Sequence, residues 1–103
     1  MLAPQRNTLA VQVKFMGDLP TVIGRRSLSL EMAAGSTVGD LLASLSQTYG
    51  EAFTARVFMS PTKLHHYILI FVDGEHIKKD AVLDARLGNG EVDVVMLPMF
   101  GGG

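Results

Sequence analysis

One long stretch of this chain has a helical period, and the strongly patterned segments on either side of it alternate. In 36-STVGDLLASLSQTYG-50 the apolar residues Val38, Leu41, Leu42, Leu45 and Tyr49 fall on one face of a 3.6-residue repeat. Thr37 stands where an N-cap belongs, and Asp40 three residues later can reach the free N–H groups of the first turn. Gly50 suits the left-handed position that ends a helix. Gly39 in the first turn costs roughly 1 kcal/mol relative to Ala. Four aliphatic side chains buried on a sheet, at roughly 1.5–3 kcal/mol each, outweigh it.

The flanking segments read as strands. Leu9, Val11, Val13 and Phe15 alternate with Gln12 and Lys14, and Leu28, Leu30 and Met32 alternate in 27-SLSLEM-32. The short connection 17-GDLPTVIG-24, broken by Pro20, reads as a turn or loop, so these two strands form an antiparallel hairpin. Residues 51–66 are less regular and read as a short helical turn followed by a loop. The run 67-YILIFV-72 is a candidate central strand, and Asp73-Gly74 turns it into a short partner, 75-EHI-77. Leu83 and Leu87 carry apolar contacts through a connecting loop. After Gly88-Asn89-Gly90, the segment 91-EVDVVML-97 alternates, and Pro98 is expected to end pairing because it has no N–H.

Several strands, mostly joined by short turns, with one main helix packed across them, define an α+β domain with a mixed four- to five-stranded sheet. A chain of 103 residues holds one such domain, residues 1–103, with 98–103 as a flexible C-terminal tail. Nine scattered basic residues and a formal net charge of −1 give no electrostatic footprint for nucleic acid or an anionic membrane. No cysteine is present, so disulfides, thiolate metal sites and cysteine nucleophiles are excluded. Residues 1–10 lack the apolar run of a signal peptide and 67-YILIFV-72 is too short to span a bilayer, so a cytoplasmic location is expected.

Candidate chemistry within the domain is thin. His65 and His66 are adjacent and His76 is isolated, so they lack metal-ligand spacing and read as loop or surface residues. There is no G-x-S-x-G, and the turn-flanking acids suit local hydrogen bonding. Gly35 and Gly39 precede a helix, but without the Lys-Ser/Thr of a phosphate-binding loop. What remains is 97-LPMFGGG-103. Exposed Met99 and Phe100 beside glycines suggest a contact surface. Residues 98–103 fully extended reach about 20 Å, at roughly 3.3–3.6 Å each. A tail without Cβ atoms fits a slot too narrow for side chains, and it ends in one reactive group, the α-carboxylate of Gly103.

The strand and helix order, 67-YILIFVDGEHI-77 and 87-LGNGEVDVVMLPMFGGG-103 together resemble the ubiquitin-like β-grasp sulfur carriers, the MoaD/ThiS family. The stretch 64-LHHYILIFVDGEHI-77 looks most like the carriers that serve cysteine synthesis. The resemblance implies a β-grasp fold and a protein that is no enzyme but a co-substrate of partner enzymes. By that resemblance an E1-like enzyme adenylates Gly103 with ATP, and sulfur then replaces AMP to leave a thiocarboxylate. Gly102 and Gly101 would fill the partner's slot, with Phe100, Met99 and Pro98 in contact with it. No bound cofactor or metal is implied. The acceptor would be a cysteine synthase-like enzyme or, for a small subunit of molybdopterin synthase, that enzyme's large subunit. A ubiquitin-like protein modifier is a further alternative, as is a plain interaction domain. The family ends in two glycines and this chain in three. Either Gly101 occupies a variable position, or a processing metallopeptidase removes Gly103 and Gly102 carries the sulfur.

Overall fold

The computed structural model describes residues 8–78, 81–88 and 90–99. The chain runs through β1 (Thr8–Phe15), α1 (Leu19–Ile23), β2 (Ser27–Ala33), α2 (Val38–Tyr49) and α3 (Glu51–Val57). It continues through β3 (Phe58–Ser60), β4 (Lys63–Leu64), β5 (Ile68–Val72), β6 (Glu75–His76) and β7 (Gly90–Pro98). Among the described residues five strands form one sheet in the order β2-β1-β7-β5-β6, and β3 and β4 form a separate small hairpin.

The sheet is mixed, as expected. β1 pairs antiparallel with β2, Leu9 opposite Met32 and Val13 opposite Leu28. It pairs parallel with β7, Val11 opposite Val92 and Phe15 opposite Met96. β5 returns antiparallel to β7, Leu69 opposite Leu97 and Phe71 opposite Val95. The alternation sends Leu9, Val11, Val13 and Phe15, with Val92, Val94 and Met96, into the core beneath the helices. There they meet Val38, Leu41, Leu42 and Leu45 of α2, all buried, while Tyr49 is half-buried at its end.

The start of α2 is fully capped. Thr37 and Asp40 form the expected reciprocal pair: Asp40 N–H donates to Thr37 Oγ1 at 3.1 Å, and Thr37 N–H donates to Asp40 Oδ2 at 2.9 Å. The two remaining first-turn donors, Val38 N–H and Gly39 N–H, reach the carbonyls of Ala85 and Leu83 at 2.9 and 3.0 Å. This close approach explains Gly39: a Cβ there would stand 2.9 Å from the Leu83 carbonyl oxygen. It also leaves the helix start no free N–H for a phosphate.

Three readings of the sequence are corrected. The segment around Pro20 is a short helix and not a loop. Pro20 lies in its first turn, where an N–H has no helical partner to lose, and Leu19 and Ile23 are buried one turn apart. Residues 51–66 hold more structure than a turn and a loop. α3 buries Phe53 and Val57, and the β3–β4 hairpin follows. Two apolar positions one turn apart are too few to register as a period. Gly50 has a positive φ of 78° but a ψ of −158°, outside the left-handed helical region. It ends α2 and starts α3 at once, its carbonyl accepting from Thr54 N–H at 3.1 Å. Val82 is buried, as is Leu87, and the sequence reading missed it because it lies in no periodic run.

Candidate functional site at the root of the C-terminal tail

β7 lies between β1 and β5 and carries the chain out of the domain. Its last residue is Pro98, opposite Ile68, so the strand includes the proline that was expected to stop it, and the tail starts after it. The register gives the reason. Met99 N–H donates to the Tyr67 carbonyl at 2.6 Å, which makes that pair hydrogen-bonded and the neighbouring Pro98–Ile68 pair non-hydrogen-bonded. A residue in a non-hydrogen-bonded pair turns its N away from its partner strand, so Pro98 forfeits no bond to β5. On its other side β1 is already leaving the sheet. Met16 N–H donates to the Met96 carbonyl at 2.9 Å, and the Met16 carbonyl accepts instead from Leu19 N–H at 3.2 Å. Gly17, with a φ of +62°, then makes room for the buried proline ring.

The two flanks of this exit are tied to each other. Asp18, next to Gly17, forms an ion pair with the Arg56 guanidinium of α3. The Arg56 carbonyl accepts a hydrogen bond from Tyr67 Oη at 3.4 Å. The Tyr67 ring stacks on His65 with centroids 4.9 Å apart, and His66 meets the same ring edge-on at 5.8 Å. His65 Nε2 also lies 3.2 Å from the Ala55 carbonyl. The two histidines therefore brace Tyr67, whose backbone holds Met99. Among the described residues no group of three or more His, Asp or Glu side chains is placed to hold a metal ion.

Beside the exit, the sheet's outer face carries an apolar patch. Leu69, Phe71, Val95 and Leu97 are half-buried there, Phe71 facing Val95 and Leu69 facing Leu97. Two methionines extend it toward the tail, Met16 at 44% and Met99 at 54% exposure. The site residues expected from sequence thus divide. Pro98 is buried in the strand, Met99 is exposed at its end, and Phe100, Gly101, Gly102 and Gly103 lie outside the described residues. The outer patch was not read from the sequence, although the half-buried residues alternate with buried ones in β5 and β7 and could have been assigned to the opposite face.

A mixed sheet with one main helix across it and the last strand in its interior is the ubiquitin-like β-grasp arrangement, and solved structures of that kind superpose on it. Residues 13–103 match the model of the ThiS family, and the chain belongs to that family. It is 29% identical over 93 residues to the sulfur carrier protein CysO of Mycobacterium tuberculosis, covering 84% of this chain and 95% of that protein. The crystal structure of SAMP1 from Haloferax volcanii is 26% identical and matches 91% of this chain and 99% of that one, with a TM-score of 0.76. A chain of the Amycolatopsis orientalis BexX/CysO complex is likewise 26% identical, over 90% of this chain and 99% of that one, with a TM-score of 0.71. Among the described residues no helix is long and apolar enough to cross a membrane.

Proposed function

We propose that this chain is a sulfur carrier in cysteine or cofactor biosynthesis. The observation that carries the reading is the anchored exit of β7, with Pro98 buried and Met99 held on Tyr67, at the point where the ThiS-family chain runs out to its terminal glycines. In this reading the Gly103 carboxylate attacks the α-phosphorus of ATP in an E1-like partner, and pyrophosphate leaves. A sulfur nucleophile then attacks the acyl adenylate and AMP leaves, giving a thiocarboxylate that passes its sulfur to an acceptor enzyme.

The work of this chain is delivery. From Met99, four further residues fully extended reach roughly 13 Å, at about 3.3 Å per residue. A root fixed on two sides lets that reach point into a partner's slot while the outer patch rests on the partner's surface. The chain itself is a carrier and not an enzyme, and it works where its partners do, in the cytoplasm. The CysO relatives support a sulfur carrier, and the stretch 64-LHHYILIFVDGEHI-77 favours a cysteine synthase-like acceptor over the molybdopterin synthase large subunit. A test is intact-mass analysis after incubation with the E1-like enzyme of the same genome, ATP and a sulfur donor. One sulfur-for-oxygen exchange is expected, and its position in the fragment spectrum separates Gly103 from a Gly102 left by a processing metallopeptidase. An unchanged mass with that enzyme would defeat the reading.

The likeness to SAMP1, described as a small archaeal modifier protein, favours a second reading: Gly103 forms an isopeptide bond with a lysine of another protein. Conjugates of higher mass in cell lysate, lost when Gly103 is deleted, are its signature.

A further inference from the structure

The five-stranded sheet has two edges, and they differ. β6 at one edge is two residues long. β2 at the other is seven residues long, 27-SLSLEMA-33, and pairs with β1 without a bulge. Long edges are ordinarily blunted by lysine, proline or a bulge, because their unpaired N–H and C=O groups invite another strand. β2 has none of these, and its one charged residue is Glu31.

The register shows which backbone groups stand free. Phe15 N–H donates to the Arg26 carbonyl at 2.8 Å, so Phe15–Arg26 is a hydrogen-bonded pair. Such pairs alternate along an antiparallel ladder, so Leu28, Leu30 and Met32 bond through their backbones to Val13, Val11 and Leu9. Ser27, Ser29 and Glu31 turn their backbone groups outward, where no described strand receives them. The side chains divide the same way. Leu28, Leu30 and Met32 pack on the core but are only partly buried, whereas Ser27, Ser29, Glu31 and Ala33 are exposed.

We propose that β2 pairs antiparallel with β2 of a second copy of this chain, about a two-fold axis at Leu30, joining two sheets into one. In that register Ser29 and Glu31 of one copy exchange N–H···O=C bonds with Glu31 and Ser29 of the other. At each end Ala33 N–H reaches the Ser27 carbonyl, while the Ala33 carbonyl stays with Ser36. On the helix side Leu30 meets Leu30 and Leu28 meets Met32, which closes the half-open apolar row. On the other face Glu31 meets Ser29. A shift of two residues one way opposes Glu31 to Glu31, and the other way sets Met32 against Arg26, so the register is selected from both sides. Arg25 falls near Gly35 of the second copy, whose carbonyl accepts from Arg86 at 3.5 Å, and these exposed cations are screened at physiological salt. β1 separates β7 from this edge, and the two-fold reverses strand direction. The two β7 exits therefore lie at opposite ends of the joined sheet, and the pairing leaves both clear. It does not depend on the sulfur-carrier reading.

The test uses the full chain, which has no cysteine, so single introduced thiols report the register. Across a two-fold at Leu30 the two Leu30 Cα atoms stand about 4.5 Å apart, within the roughly 4.4–6.8 Å that a disulfide spans. Leu30→Cys is expected to give a disulfide-linked dimer on mild oxidation. In Leu28→Cys or Met32→Cys alone the like positions lie about 14 Å apart, four residues along the strand at about 3.4 Å each. Each should stay unlinked by itself, and the two should cross-link when mixed. Sedimentation equilibrium of the wild type at about 0.15 M salt should show a dimer whose fraction rises with protein concentration. Glu31→Pro removes an outward N–H and no bond to β1, so it should stay monomeric, with a thermal melt confirming the fold. A wild type that is monomeric up to about 1 mM would overturn the proposal. So would a folded Glu31→Pro that still dimerises, or cross-linking of Leu28→Cys alone as ready as that of Leu30→Cys. If Glu31→Pro does not fold, the cysteine series decides.

Discussion

The ring of Pro98 lies so close to Gly17 that a Cβ on Gly17 would stand 2.7 Å from Pro98 Cγ. One glycine at the end of β1 therefore seats the last residue of β7 before the tail. Its φ of +62° adds a second requirement, since a side chain is strained there.

Gly17→Ala is accordingly expected to cost about 1–3 kcal/mol in urea unfolding, from overpacking and backbone strain together. The same variant should speed hydrogen exchange at the Met99 amide, because Pro98 cannot move without disturbing the bond from Met99 to Tyr67. Unchanged stability together with unchanged Met99 exchange would show that the proline ring is not seated by Gly17.

Gly39 offers a prediction of sign. Helix propensity alone says that Gly39→Ala gains about 1 kcal/mol. The Leu83 carbonyl, 2.9 Å from where the new methyl would sit, says the reverse. It cannot retreat freely, because it accepts from Gly39 N–H at 3.0 Å. A net loss of about 1–2 kcal/mol is expected, read as a lower thermal midpoint, and a raised midpoint would refute the contact.

These two glycines mark the boundary of what the sequence discloses. The strands, α2 and its Thr37–Asp40 cap were legible because each rests on neighbours within a few residues. The Asp73-Gly74 turn was legible for the same reason. Gly39 looked like a defect because the carbonyl that requires it lies on a distant segment. Pro98 looked like a strand stop because its pairing class depends on the register with β5. α1 was hidden by a proline that breaks helices except in their first turn. Of the site, the tail motif was local and readable. The brace of Tyr67, Arg56 and Asp18 around its root was not, since those residues meet only through the fold.

Asp73 is the one described residue other than glycine with a positive φ, 50°. Its N–H donates to the Asp93 carbonyl at 2.7 Å, and its Oδ1 accepts from Asp93 N–H at 2.9 Å. Side chain and backbone thus clasp one residue of β7 at the turn between β5 and β6. Asp73→Ala loses the acceptor and strains the turn, and a cost of about 1–2 kcal/mol is expected. Asp73→Asn keeps both an acceptor oxygen and a tolerance of positive φ, and should recover most of that loss. Equal losses in chemical denaturation of the two variants would separate the stability of the turn from this clasp.

Deleting Gly102 and Gly103 separates fold from function. The described core ends with Pro98, and the last described backbone anchor is Met99 N–H on Tyr67. Both lie before the deletion, so the thermal midpoint should stay where it is in the full chain. Binding to the E1-like enzyme should weaken but persist, because the outer face is intact. Sulfur acceptance should be lost outright, since the carboxylate is then carried by Gly101, too short a reach beyond the root to meet the same ATP. Adding the two glycines back restores the reach, whereas substituting them with alanines restores only the length. If the alanine form accepts sulfur as well as the native chain, reach alone is what the tail supplies. If it binds and fails to accept, the partner's slot is narrow enough to require the missing Cβ atoms.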